Sequence, residues 1–115
     1  MKKIKLIGLS KSEDLNTYLF PKEESFFPFI KKLLGNLDFD PSEYGEESNL
    51  DLAYKNGKEN FKEFLEKTND LRWEFKEGNY IIEVIIGKDR IFLLIYTKKD
   101  LQQEIYKIIS KLTSK

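Results

Sequence analysis

From Asp70 onward the apolar residues recur at every second position, and this pattern dictates most of what the 115-residue chain can fold into. Leu71, Trp73 and Phe75 alternate with Arg72, Glu74 and Lys76, as in a strand with one face on a core and one toward water. Gly78-Asn79 marks a turn, Tyr80 to Ile86 a second strand, Gly87 to Arg90 another turn, and Ile91 to Thr97 a third strand. Connections this short force an antiparallel meander. A helix is expected from about Asp100, with Leu101, Ile105, Ile108 and Leu112 on one stripe. Lys111 and Lys115 sit toward its C-terminus, where the helix dipole favours cations.

The N-terminal half switches to a helical period. Lys3 to Leu9 reads as a first strand ended at Gly8 and Ser10. Ser10 and Glu13 have capping-box spacing, so Leu15, Tyr18 and Leu19 are expected on a short helix stopped by Pro21. Phe26, Phe29, Ile30, Leu33 and Leu37 mark the next helix, with Pro28 tolerable in its first turn and Gly35 placed for a left-handed C-cap. Leu50 to Tyr54 is either a helical turn capped by Asn49 or a short edge strand closed by Asn56-Gly57. Lys58 to Thr68 is a clearer helix, with Phe61, Phe64 and Leu65 inward and Lys62, Glu63, Glu66 and Lys67 outward. With no repeat or flexible linker, residues 1–115 form a single α+β domain: an antiparallel three- to four-stranded meander packed against helices, with a C-terminal helix.

Strands two and three of the meander are apolar on both faces. Tyr80, Ile82, Val84 and Ile86 back onto Ile81 and Ile85 beside Glu83, while Ile91, Leu93 and Ile95 back onto Phe92, Leu94 and Tyr96. Both faces are therefore expected to be covered. The C-terminal helix covers one. The apolar surface of Phe26–Leu34 and Phe61–Leu65 suffices for the other, with a second copy or a partner as the alternatives. Trp73, the only tryptophan, is expected to pack inward with Leu71 and Phe75.

Composition removes several chemistries. There is no cysteine and no histidine, so Ser-His-Asp catalysis, thiol nucleophiles and most zinc sites are absent, and no cofactor motif replaces them. A carboxylate-only enzyme has no pair of acids that the sequence places together; the expectation is a protein without catalytic activity or cofactor. No apolar run reaches membrane-span length, and Ile4 to Leu9 is too short for the core of a signal peptide, so a cytoplasmic location is expected. Twenty basic and twenty acidic residues give no net charge, and no concentrated Lys/Arg cluster favours nucleic acid.

Charge is nevertheless uneven. Residues 37–52, LDFDPSEYGEESNLDL, hold Asp38, Asp40, Glu43, Glu46, Glu47 and Asp51 around Tyr44, with no Lys or Arg among them. Such a run either stays solvated or meets something basic. Asp38, Asp40 and Ser42 mimic the opening of an EF-hand loop, but Glu43 stands where its glycine is needed and Asn49 where its bidentate Glu belongs, so no metal is expected.

Tyr44-Gly45-Glu46 followed by Asn49-Leu50-Asp51 resembles the YGENLD run of barstar, within the small bacterial immunity proteins that neutralise nuclease toxins. In that family an acidic loop and the helix after it enter the basic active site of a ribonuclease. The resemblance implies Tyr44, Glu46 and Asp51 as contact positions, although Glu47 and Ser48 interrupt the run and the meander has no counterpart in barstar's parallel sheet. The expected partner is a basic toxin domain, neither nucleic acid nor membrane, met by Asp38, Asp40, Glu43, Tyr44, Glu46, Glu47 and Asp51. A homodimeric structural or adaptor protein is the alternative.

Overall fold

The computed structural model describes residues 3–38 and 58–114. In chain order these form strands β1 (Ile4–Lys5), β2 (Gly8–Lys11) and β3 (Leu15–Pro21), helices α1 (Phe26–Asn36) and α2 (Lys58–Lys67), and strands β4 (Leu71–Glu77), β5 (Tyr80–Ile86) and β6 (Arg90–Tyr96). Helix α3 (Lys99–Leu112) and strand β7 (Thr113–Ser114) follow. The class is α+β, as the sequence indicates.

The meander forms as its alternation requires. In the β4–β5 hairpin Glu77 pairs with Tyr80 across a two-residue turn in which Gly78 takes φ +52°, a left-handed conformation that glycine adopts without steric cost. The sheet extends beyond the meander: five antiparallel strands lie in the order β2-β3-β6-β5-β4. The expected helix after Ser10 is instead strand β3, paired along its whole length with β6 from Leu15↔Tyr96 to Pro21↔Arg90. Its burial alternates strictly, with Asn16, Tyr18 and Phe20 buried and Leu15, Thr17 and Leu19 half-buried. Thr17, Tyr18 and Phe20 suit a pleated surface, and seven residues of ladder outweigh one local capping box. Ser10 and Glu13 therefore belong to a hairpin whose bend is closed by the Ser12 amide donating to the Leu15 carbonyl at 2.8 Å. The expected single strand Lys3–Leu9 is divided: β1 pairs in parallel with β7, and β2 forms one edge of the sheet.

Helix α1 buries Phe26, Phe27, Phe29, Ile30, Leu33 and Leu34, and Phe20 of β3 joins Phe26 and Phe29 at centroid distances of 5.5 and 4.9 Å. Its end corrects the C-cap expectation. Gly35 lies inside the helix, and the left-handed residue after it is Asp38, at φ 60°. Helix α2 seats Leu65 in the core, with Phe64 against it and Lys62, Glu63, Glu66 and Lys67 in water. The Lys22 ammonium donates to the carbonyls of Thr68 (2.6 Å) and Lys88 (3.3 Å), tying the end of α2 to the β5–β6 turn. In α3 the fully buried line is Gln102, Ile105 and Ile109, with Ile108 and Leu112 beside it.

All of this packs on one side of the sheet. Tyr18, Phe20, Ile82, Val84, Ile86, Ile91, Leu93 and Ile95 form a single core with the buried residues of α1, α2 and α3. The expected cover of the second face by the N-terminal helices is therefore not what the chain does: α1 and α2 share the first face with α3. The physical reason lies in β4 and β5. Arg72, Glu74, Lys76 and Glu83 all point to the second face, and burying four charged groups under a helix costs more than leaving them in water. The side chains of Phe61, Leu71 and Trp73 lie outside the described residues.

Candidate functional site

Of the seven acidic-segment residues named from sequence, Asp38 lies within the described structure; Asp40, Glu43, Tyr44, Glu46, Glu47 and Asp51 lie outside the described residues, as does the Leu50–Tyr54 element. Asp38 is exposed at the second position after α1, with its amide donating to the Gly35 carbonyl at 3.2 Å. The last turn of α1 holds no basic residue, so the negative end of its dipole adds to the Asp38 carboxylate instead of being neutralised. Among the described residues no cation pairs with Asp38; the ion pairs there are Lys67–Glu63, Arg72–Glu83, Lys76–Glu74 and Lys107–Glu104. Among the described residues, Asp38 thus stands at the exit of α1 without a cationic partner.

A second candidate lies at the far end of the sheet, where the β2–β3 hairpin meets the first turns of α3. Lys11, Asp14, Asn16, Gln102 and Tyr106 line a broad concavity of about 980 Å³. Gln102 is its anchor: Nε2 donates to the Ile95 carbonyl at 2.8 Å and to the Asp14 carbonyl at 3.3 Å. Two carbonyl acceptors set the orientation of the amide, which leaves Oε1 buried without a donor. The Lys11 ammonium stands over the Tyr106 ring, 5.3 Å from its centroid. Nearby, burial pushes the Tyr18 hydroxyl above its ordinary pKa. The adjacent Asn16 amide offsets part of the rise without closing a hydrogen bond of good geometry, and Tyr106 adds to it. Glu13 and Asp14 are exposed on the hairpin bend at the rim of the concavity. No group of metal-ligating side chains occurs among the described residues, and no described helix is long and apolar enough to cross a membrane.

The third feature is the face of the sheet left open by the described helices. By register, Leu15–Tyr96–Ile81, Thr17–Leu94–Glu83 and Leu19–Phe92–Ile85 form three rows across β3, β6 and β5. None of these residues belongs to the core on the other side. The sequence carried the signal for this face in the charges of β4, which alternate with the apolar positions and mark a surface in contact with water.

Comparison of the chain with protein-family models, curated proteins and solved structures gives no match.

Proposed function

We propose that the chain is an immunity or antitoxin-type protein that binds a bacterial toxin domain, a nuclease, and occludes its basic active site with the acidic segment. One observation carries this reading: residues 38–51 concentrate six carboxylates around Tyr44 with no basic residue among them, in a chain of no net charge. Support comes from the exit of α1, where Asp38 is exposed beside the negative end of a helix whose last turn holds no basic residue. A dense anionic patch steers a cationic partner into place and repels the phosphate backbone that the partner would otherwise cleave. Tyr44 supplies a large, rigid anchor within the patch.

The reading is tested by titrating the purified chain against basic ribonuclease and deoxyribonuclease toxin domains while following nucleic-acid cleavage. Stoichiometric inhibition of one of them, abolished by combined Glu46→Lys, Glu47→Lys and Asp51→Lys, is the expected result. Inhibition unaltered by the triple reversal, or none by any toxin of the panel, overturns it.

A further inference from the structure

We infer that the open face of the sheet is a self-association surface, through which two copies of this chain pack sheet against sheet around Leu94. This goes beyond the toxin-binding reading and does not rest on it, since none of the residues that carry it belongs to the acidic segment. Among the described residues, the two exposed large apolar side chains within the sheet, Ile81 and Tyr96, are direct cross-strand neighbours on this face. Around Leu94 stand Leu15, Leu19, Phe92 and Ile85, all half-buried and none of them part of the core that the helices close. Glu83, the one acid in the block, is already neutralised by Arg72 at 3.6 Å, with its side chain 12% exposed. On β4 the Lys76 ammonium lies 3.3 Å from Glu74. The centre of the face thus carries balanced charge and sets up no repulsion against itself.

Its outline fits a second copy. β6 is the middle strand of the five, with charged Arg72, Glu74 and Lys76 along the β4 edge and small Gly8 and Ser10 along the β2 edge. A two-fold axis running along β6 lays the long side chains of each copy over the small residues of the other, which is the isologous arrangement of a symmetric dimer. The area suffices: strands of seven residues rising ~3.3 Å each and spaced ~4.8 Å apart cover roughly 500 Å². Two such faces bury about 1,000 Å² or more, the threshold for a specific interface. Aligned sheet-on-sheet packing at ~10 Å then brings the two Leu94 side chains together.

The experiment is mass measurement by light scattering and sedimentation over a concentration series, at low and high salt. The expected species has twice the 13.7 kDa chain mass and persists at high salt. Tyr96→Lys and Ile81→Lys, with folding checked by circular dichroism, are expected to weaken dimerisation by about tenfold or more. Because the chain has no cysteine, Leu94→Cys is a clean probe: it is expected to give a disulfide-linked dimer on mild oxidation, whereas Lys107→Cys on the helical side does not. A chain that stays at 13.7 kDa throughout overturns the inference, as does a dimer indifferent to both lysine substitutions or cross-linked equally at the two cysteine positions.

Discussion

Tyr96 and Ile81 face each other across β6 and β5, each 37% exposed, while their chain neighbours Ile95 and Ile82, one residue away on the opposite face, are fully buried. The period of two that builds this sheet therefore separates two environments within a single peptide step. On one side lies a core closed by α1, α2 and α3, and on the other an apolar surface rimmed by charge.

This contrast predicts a sharp difference between adjacent isoleucines. Ile82→Ala opens a cavity in the closed core and is expected to cost about 2–5 kcal/mol. Ile81→Ala is expected to change stability by less than about 1 kcal/mol. Urea denaturation at protein concentrations low enough to keep chains apart measures both, and equal losses at the two positions would refute the one-sided sheet.

Gln102 spans from α3 to the end of β6 and to the β2–β3 hairpin through two hydrogen bonds from one nitrogen. Gln102→Leu keeps the volume and removes the donor, so the Ile95 and Asp14 carbonyls each lose one hydrogen bond, the Asp14 carbonyl keeping that from the Thr97 amide, at an expected cost of about 1–3 kcal/mol. Equilibrium denaturation reads the loss. Amide exchange near Asp14 and Lys98 should rise with it, because the Thr97 amide donates to the Asp14 carbonyl and the Gln102 amide to the Lys98 carbonyl in the same corner.

Tyr18 makes alkaline stability a reporter of burial. Its folded pKa lies above the ordinary value of 10.0 because burial disfavours the phenolate. The unfolded chain therefore gives up this proton at lower pH than the folded one. Its contribution is intact below pH 10.0 and is lost as the pH climbs toward the folded pKa. Tyr18→Phe is expected to flatten that alkaline limb. At neutral pH it should change stability by no more than about 1 kcal/mol, since the hydroxyl it removes has no hydrogen-bond partner. Denaturation midpoints measured between pH 8 and 11 check both parts; an alkaline limb as steep in Tyr18→Phe as in the parent chain would assign it to other groups.

Two left-handed positions give opposite predictions. At Gly78, φ +52° with open space where a Cβ would stand, Gly78→Ala meets only backbone strain and should cost about 1 kcal/mol. At Asp38 the strain is already present, and its charge stands at the negative end of α1. Asp38→Gly relieves both and should add about 1 kcal/mol, while removing one anion from the proposed binding surface. Thermal unfolding of the two variants shows the signs.

The elements legible in the sequence were those whose period was uninterrupted and whose partners were close along the chain. β4, β5 and β6 have their turns between them, and α1 and α2 show their apolar faces within ten or so residues. β3 was misread because Ser10, Glu13 and Leu15 satisfy a local helix rule, whereas its partner β6 begins some seventy residues later and no local pattern announces that pairing. Gly35 was misread for a related reason: a glycine in a helix end draws the cap to itself, yet Leu37 still completes bonds to Leu33 and Leu34, and the left-handed turn passes to Asp38. The predicted stripe on α3 included Leu101 and omitted Gln102, because a buried glutamine is recognisable only once the carbonyls it serves are in place. The acidic segment itself was legible as charge alone, and its Asp38 end is the part that the described structure locates.

The most direct test of the functional account is the rate at which the chain associates with an inhibited basic nuclease, followed by stopped flow across ionic strength. Steering by the acidic segment predicts an association rate that drops by about tenfold or more between low and high salt, and a similar drop at low salt for the Glu46→Lys, Glu47→Lys, Asp51→Lys variant. An association rate unchanged by salt and by charge reversal would contradict it.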